Sequence, residues 1–167
     1  MKIIIHDLAQ EEFNTLYRNI PSDVTVISDN ETIRNCIGCF GCWIKTPGVC
    51  VLKDGYHNMG ELLSKCDMLI IISKCMYGSF SPFIRNVLDR SIPYLLPYFI
   101  TKNGETHHKP RYKNYFDLTV YFYGDDLSNE EKKTATDLVA ANSVNFYSKN
   151  SNMFFSKDIN SLKEIII

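Results

Sequence analysis

The 167-residue chain lacks an excess of either charge: 18 Lys and Arg stand against 19 Asp and Glu, with no basic cluster. Neither a nucleic acid nor an anionic membrane is expected as its main partner. Long apolar runs are missing as well. Met68–Ile72 is typical of what there is, far short of the about 20 residues that span a bilayer. The amino terminus, MKIIIHDLAQEEF, passes from three Ile straight to acidic residues. It does not read as a secretory signal, so a cytoplasmic location is expected. The chain has no P-loop, no G-x-S-x-G, no H-E-x-x-H, no internal repeat and no low-complexity tract. Nucleotide hydrolysis, α/β-hydrolase chemistry and zinc proteolysis lose their usual signatures.

Six cysteines are present, and a reducing compartment argues against reading them as disulfides. A hydrophobic fraction of 45% over this length suits one domain, residues 1–167, with a core of its own. The β-branched Lys2–Ile5 reads as a buried first strand. Gln10–Asn19 carries Phe13, Leu16 and Tyr17 at helical spacing. Val24–Ile27 is a second strand, and Tyr56–Lys65 a helix with Met59, Leu62 and Leu63 inward. Met68–Ser73 is wholly apolar, as central parallel strands are. Ser81-Pro82 has the form of a helix start, with Phe83, Ile84, Val87 and Leu88 on the buried face. The stretch 93–115 reads as irregular and aromatic, with a hairpin turn at Asn103-Gly104. Leu118–Tyr123 and Met153–Phe155 are the fourth and fifth strands. Ser128 and Glu131 form a capping box for a helix to about Tyr147, and a last helix is expected over Ile159–Ile167. This alternation predicts an α/β fold with a five-stranded parallel sheet in the order 2-1-3-4-5.

In such a sheet ligands bind beyond the carboxyl ends of the strands, where the strand order reverses. Asp7–Gln10, Lys74–Ser81 and Tyr123–Asp126 converge there. Met76, Tyr77, Gly78, Ser79, Tyr123 and Gly124 are the candidate cofactor-binding residues. Tyr77 offers a ring to stack on, and Gly78 lets the backbone come close. On the same rim lies a loop with Cys36, Cys39, Cys42 and Cys50, and glycines at 38, 41 and 48. Four thiolates at this spacing suit an iron–sulfur cluster, zinc less naturally; the alternative is that they only pack. Cys66 and Cys75 read as small buried apolar residues. Asp89-Arg90 reads as a salt bridge or cap, and His107-His108 as solvated or interfacial. His6 and His57 have no partner at ligand spacing.

The block Cys36-Ile-Gly-Cys39-Phe-Gly-Cys42-Trp43, with Pro47-Gly48-Val-Cys50 and Lys53-Asp54, resembles the NADPH-dependent FMN reductase-like and iron–sulfur flavoprotein families. So do Asp67–Ser73, Tyr77-Gly78-Ser79 and Val87-Leu88-Asp89-Arg90. The resemblance covers about residues 35–90. It implies a flavodoxin-like three-layer sandwich and FMN, with Met76–Ser79 against the isoalloxazine ring and the cysteine loop beside it. It also implies a [4Fe–4S] cluster on Cys36, Cys39, Cys42 and Cys50 if the chain follows the iron–sulfur members, and assembly as a homodimer or higher oligomer.

Two segments depart from that pattern: the end of the fourth strand, where Tyr123-Gly124-Asp125-Asp126 adds two acids, and, more seriously, the loop after the first strand. Those families follow the first strand with a phosphate-cradling loop rich in Gly, Ser, Arg and Thr. Here His6-Asp7-Leu8-Ala9-Gln10-Glu11-Glu12 has no glycine or hydroxyl before Thr15, and three carboxylates. Near a surface, like charges at a few ångströms cost on the order of 1–4 kcal/mol each. Three functions are therefore carried forward. The first is an FMN-dependent NAD(P)H oxidoreductase serving a small electron acceptor. The second is a flavodoxin-like scaffold that has lost FMN and acts in binding or assembly. The third is an iron–sulfur flavoprotein for electron transfer.

Overall fold

The computed structural model describes residues 1–164. The described residues contain strands β1 (Lys2–His6), β2 (Val24–Ser28), β3 (Met68–Lys74), β4 (Leu95–Lys102), β5 (Glu105–Pro110), β6 (Asp117–Tyr123) and β7 (Ser151–Ser156). The helices are α1 (Gln10–Leu16), α2 (Gly41–Ile44), α3 (Met59–Ser64), α4 (Pro82–Arg90) and α5 (Asn129–Asn145). Five strands form one parallel sheet in the order β2-β1-β3-β6-β7, the expected order once the separate β4–β5 pair is set aside. The fold is flavodoxin-like. Among the described residues no helix is long and apolar enough to cross a membrane.

The central strands have their form because both faces are covered. Ile3, Ile4 and Ile5 are fully buried, and so are Leu69 and Ile72. One face packs under α3, α4 and α5, through Met59, Leu63, Ile84, Val87, Ala135 and Val139. The other face, with Ile4, Ile70 and Ile72, is covered by Phe13 and Tyr17 at α1 and by Leu162. That second layer is thin, and β6 shows it: Leu118, Val120 and Phe122 are buried, while Thr119, Tyr121 and Tyr123 alternate with them only half-buried.

Several boundaries differ from the sequence expectation. α1 ends at Leu16 rather than Asn19, because Tyr17 leaves helical geometry and sends its hydroxyl to the Leu162 carbonyl (2.9 Å). The helix expected from Tyr56 starts at Met59; Tyr56 instead ties two loops, donating to the Ser28 carbonyl (2.7 Å). The stretch read as irregular is an ordered antiparallel hairpin, β4–β5, turning at Asn103-Gly104 with φ of 53° and 83°. The capping box at Ser128 forms in both directions, 3.1 Å to the Glu131 N–H and 3.0 Å back. At Ser81 the backbone is extended and Pro82 opens α4, yet the hydroxyl makes no cap bond. The last expected helix is a 3-10 turn over Asn160–Glu164; its expected remainder, 165–167, lies outside the described residues.

Candidate functional site

The carboxyl ends of β1, β3, β6 and β7 form one rim. There the Asp7 carboxylate accepts the Lys74 backbone N–H (2.9 Å) and the Tyr123 hydroxyl (3.1 Å). Burial raises the Asp7 carboxyl above its ordinary range, and these hydrogen bonds oppose the rise. Burial and the adjacent Asp7 push the Tyr123 phenol well up. Tyr123 is therefore a neutral donor committed to Asp7. At the start of α1, Glu12 turns back to accept the Ala9 N–H (3.2 Å). The chain's own carboxylates thus take two backbone donors in the region where the family's loop would cradle a phosphate.

Over this rim opens a groove of about 560 Å³, within the size of small-molecule sites. Tyr123 and Gly124 line it, together with Lys74, Thr15 and Leu16. Its charged wall carries four acids, Glu11, Glu12, Asp125 and Asp158, and two cations, Lys74 and Lys157. Lys74 falls within a rim segment that the sequence marks. Lys157 and Asp158 do not; the rule that ligands sit past strand ends, applied to β7 as well, finds them.

Met76–Ser79 forms a two-residue turn. Met76 and Ser79 exchange backbone hydrogen bonds of 2.8 and 3.0 Å, and Tyr77 and Gly78 both have positive φ, 54° and 75°. Tyr77 projects its ring into solvent, 88% exposed. Gly78 faces the other way: a Cβ there would meet the Thr134 Cβ at 2.7 Å and the Glu131 carbonyl at 2.8 Å. Its missing side chain is what lets the turn pack on α5.

The cysteine loop is pinned by Arg90 and Asp54. Arg90 is fully buried, and its guanidinium meets the Asp54 carboxylate at 2.8 Å through both Nη atoms. Arg90 beside Asp54 holds that carboxyl down at about 2. The structural role read for Arg90 is this pair. Cys36 and Cys39 are exposed, Cys42 is half-buried and Cys50 is buried. Cys36, Cys42 and Cys50 line one small cavity. Among the described residues no group of three or more His, Cys, Asp or Glu is arranged to hold a metal ion. Three of the four loop thiols share that cavity, and Cys39 is not in its lining. Cys66 and Cys75 are buried, as expected. His107 and His108 alternate along β5 and diverge, to Asn145 (3.0 Å) and the Leu96 carbonyl (2.9 Å).

No protein family and no curated protein matches the chain. Solved structures match its fold. The general stress protein 14 of Treponema denticola, in complex with FMN, shares 11% identity, with 97% of this chain and 92% of that one covered and a TM-score of 0.51. An FMN-dependent NADH-azoreductase of Bacillus anthracis, also in complex with FMN, shares 7%, covering 95% and 87%, with a TM-score of 0.54. The NAD(P)H:quinone oxidoreductase of Methanothermobacter marburgensis shares 12%, covering 98% and 93%, with a TM-score of 0.54. At these identities the likeness is one of fold, and the fold it shows is flavodoxin-like.

Proposed function

We propose that this protein is a cytoplasmic FMN-dependent NAD(P)H oxidoreductase that reduces a small acceptor and works as a homodimer. The observation that carries the reading is the 560 Å³ groove past the carboxyl ends of β3, β6 and β7, which takes in Tyr123 and Gly124 of the candidate residues, while Met76–Ser79 lies outside its lining. Met76, Tyr77, Gly78 and Ser79 would flank the flavin ring, with Tyr123 and Gly124 across the rim. Lys74 and Lys157 are the cations available to its phosphate. Bound FMN supplies hydride and electron transfer. The protein holds the ring, shapes access to it and sets the local field. Quinones and azo compounds are the acceptors to try first, since the fold neighbours include reductases of both kinds.

The acidic wall favours weak binding. Glu11 and Glu12 face a phosphate dianion, and Asp7 and Glu12 already occupy backbone donors. The same observation supports the second reading, a flavodoxin-like scaffold without flavin. Calorimetric titration of FMN and riboflavin separates the two. FMN is expected to bind in the micromolar range, and acceptor-dependent NAD(P)H oxidation should follow. Replacing Glu11 with Ser and Glu12 with Thr should tighten FMN about tenfold, on the order of 1.4 kcal/mol, and riboflavin little, because only FMN carries the phosphate charge. No flavin binding by either protein at millimolar FMN would leave the scaffold reading.

A further inference from the structure

Beside the 560 Å³ groove lies a hollow of about 350 Å³, over the carboxyl ends of β6 and β7 and the start of α5. Gly124 and Lys157 line both, so the two spaces meet across one saddle. The saddle is fixed by hydrogen bonds. The Gly124 N–H donates to the Ser156 carbonyl (3.1 Å), and the Ser156 hydroxyl to the Asp158 carbonyl (2.9 Å). The two spaces differ in charge. The groove carries four acids and two cations; the hollow carries one acid, Asp126, and two cations, Lys132 and Lys157. Neither ammonium has an ion-pair partner among the described residues. Asp158, next to Lys157, is held instead by Ser161, through its N–H (2.9 Å) and its hydroxyl (3.1 Å). Lys132 is half-buried on α5 and lines the hollow but not the groove. Leu127 and Phe155 add an apolar wall, and the Phe155 ring is set by stacking on Phe122 at 5.9 Å and 19°.

We propose that this hollow receives the adenosine diphosphate half of the nicotinamide dinucleotide, with the nicotinamide passing over Gly124 into the groove. The identity of the ligand rests on the oxidoreductase reading; the charge and lining of the hollow do not. A nucleoside diphosphate has the two features that the hollow matches. Its phosphates are strong acceptors for the two unpaired ammoniums. Its base is a flat ring that Leu127 and Phe155 can cover. The acidic groove repels the same phosphates, so the difference in charge orients the dinucleotide. The phosphates stay in the hollow, and the uncharged reduced nicotinamide faces the flavin. The volume is that of a small-molecule site, and the chain has no basic cluster to extend it into a nucleic-acid surface.

The test is a calorimetric titration of the whole protein without added flavin, so its outcome is separate from that of the FMN reading. The probes are adenosine diphosphate, inorganic pyrophosphate and NADH. Adenosine diphosphate is expected to bind with a submillimolar Kd, about tenfold tighter than pyrophosphate, and NADH should displace it. Lys132→Ala should weaken adenosine diphosphate about tenfold, Lys132→Arg should keep most of the affinity, and added salt should weaken the parent's binding. FMN and riboflavin, titrated separately, should bind the parent and Lys132→Ala alike, since Lys132 lies outside the groove. Three results would overturn the proposal and leave the flavin reading in place: no binding at millimolar adenosine diphosphate, equal affinity in parent and Lys132→Ala, or pyrophosphate binding as tightly as the nucleotide. Weaker FMN but unchanged riboflavin in Lys132→Ala would give the hollow to the flavin's phosphate and overturn it too. Lys132-dependent binding of adenosine diphosphate and NADH by a protein that takes no flavin would uphold the subsite and remove the flavin reading alone.

Discussion

Among single residues, His6 is the clearest departure from an ordinary core. It is fully buried at the end of β1, its ring stacks on Phe13 at 3.9 Å and 3°, and neither ring nitrogen has a partner among the described residues. Burial lowers its pKa to about 4, from the usual 6.5. Between those values the unfolded chain takes up a proton that the folded chain refuses. Stability therefore falls as pH drops through this window and levels off below about 4, a loss of up to about 3 kcal/mol. His6→Phe removes both the proton and two orphaned nitrogens. It should raise stability at neutral pH by about 1 kcal/mol and flatten the decline toward pH 4. Urea unfolding of both proteins at several pH values checks this; parallel declines would show that His6 is not the source. The sequence shows this histidine without a partner, but whether it lies in water or in the core depends on Phe13 folding over it.

Between elements, two turns with the same backbone demand differ in what surrounds them. Gly104, φ +83°, closes the β4–β5 hairpin, and a methyl group added there would meet nothing within 4 Å. Gly78, φ +75°, lies against α5 at 2.7–2.8 Å. Alanine at 104 should cost only the left-handed strain, about 1–2 kcal/mol. Alanine at 78 adds a clash with a helix carbonyl and should cost about 2–5 kcal/mol in all, by strain and overpacking together. Denaturant midpoints for the two variants decide it, and equal losses would mean that α5 yields easily. The hairpin turn is legible because Asn-Gly is a local signal. The strands flanking it are hidden, since Pro97 and the aromatic run break the alternation that marks a strand. α2 is hidden for a similar reason: four residues inside a Gly- and Cys-rich loop carry no helical period.

Across the molecule as a whole, the packing leaves an exposed apolar surface. Tyr98, Phe99 and Ile100 stand out on β4, and Phe40 and Ile44 on the cysteine loop. Ring contacts link the two: Phe40 stacks on Trp43 at 5.3 Å, and Trp43 and Phe99 each lie 4.8 Å from His108. Part of the apolar, aromatic segment 92–99 turns inward: Pro93 and Tyr94 are buried, leaving Tyr98 and Phe99 at the surface. A patch of this kind suits a subunit contact. Light scattering at micromolar concentration should give twice the chain mass, and Phe99→Lys should return the monomer with its circular dichroism unchanged. A parent protein of monomer mass would remove the dimer from the proposed function.

The sheet, its strand order and the rim where a ligand would bind are all written in the sequence. They follow from short β-branched runs, their alternation with helices and the handedness of the crossovers, which are local or nearly so. Which groups at that rim remain available is a matter of tertiary structure. The Asp7–Tyr123 hydrogen bond joins residues 116 positions apart, and the Arg90 clamp on Asp54 spans 36. Each depends on strand register and loop path together, so no local pattern announces it. The cysteine spacing allows one metal centre, yet the Arg90 clamp and the burial of Cys50 leave three of the thiols around a cavity of one water's size. Spacing constrains how far side chains can reach, and packing decides where they point.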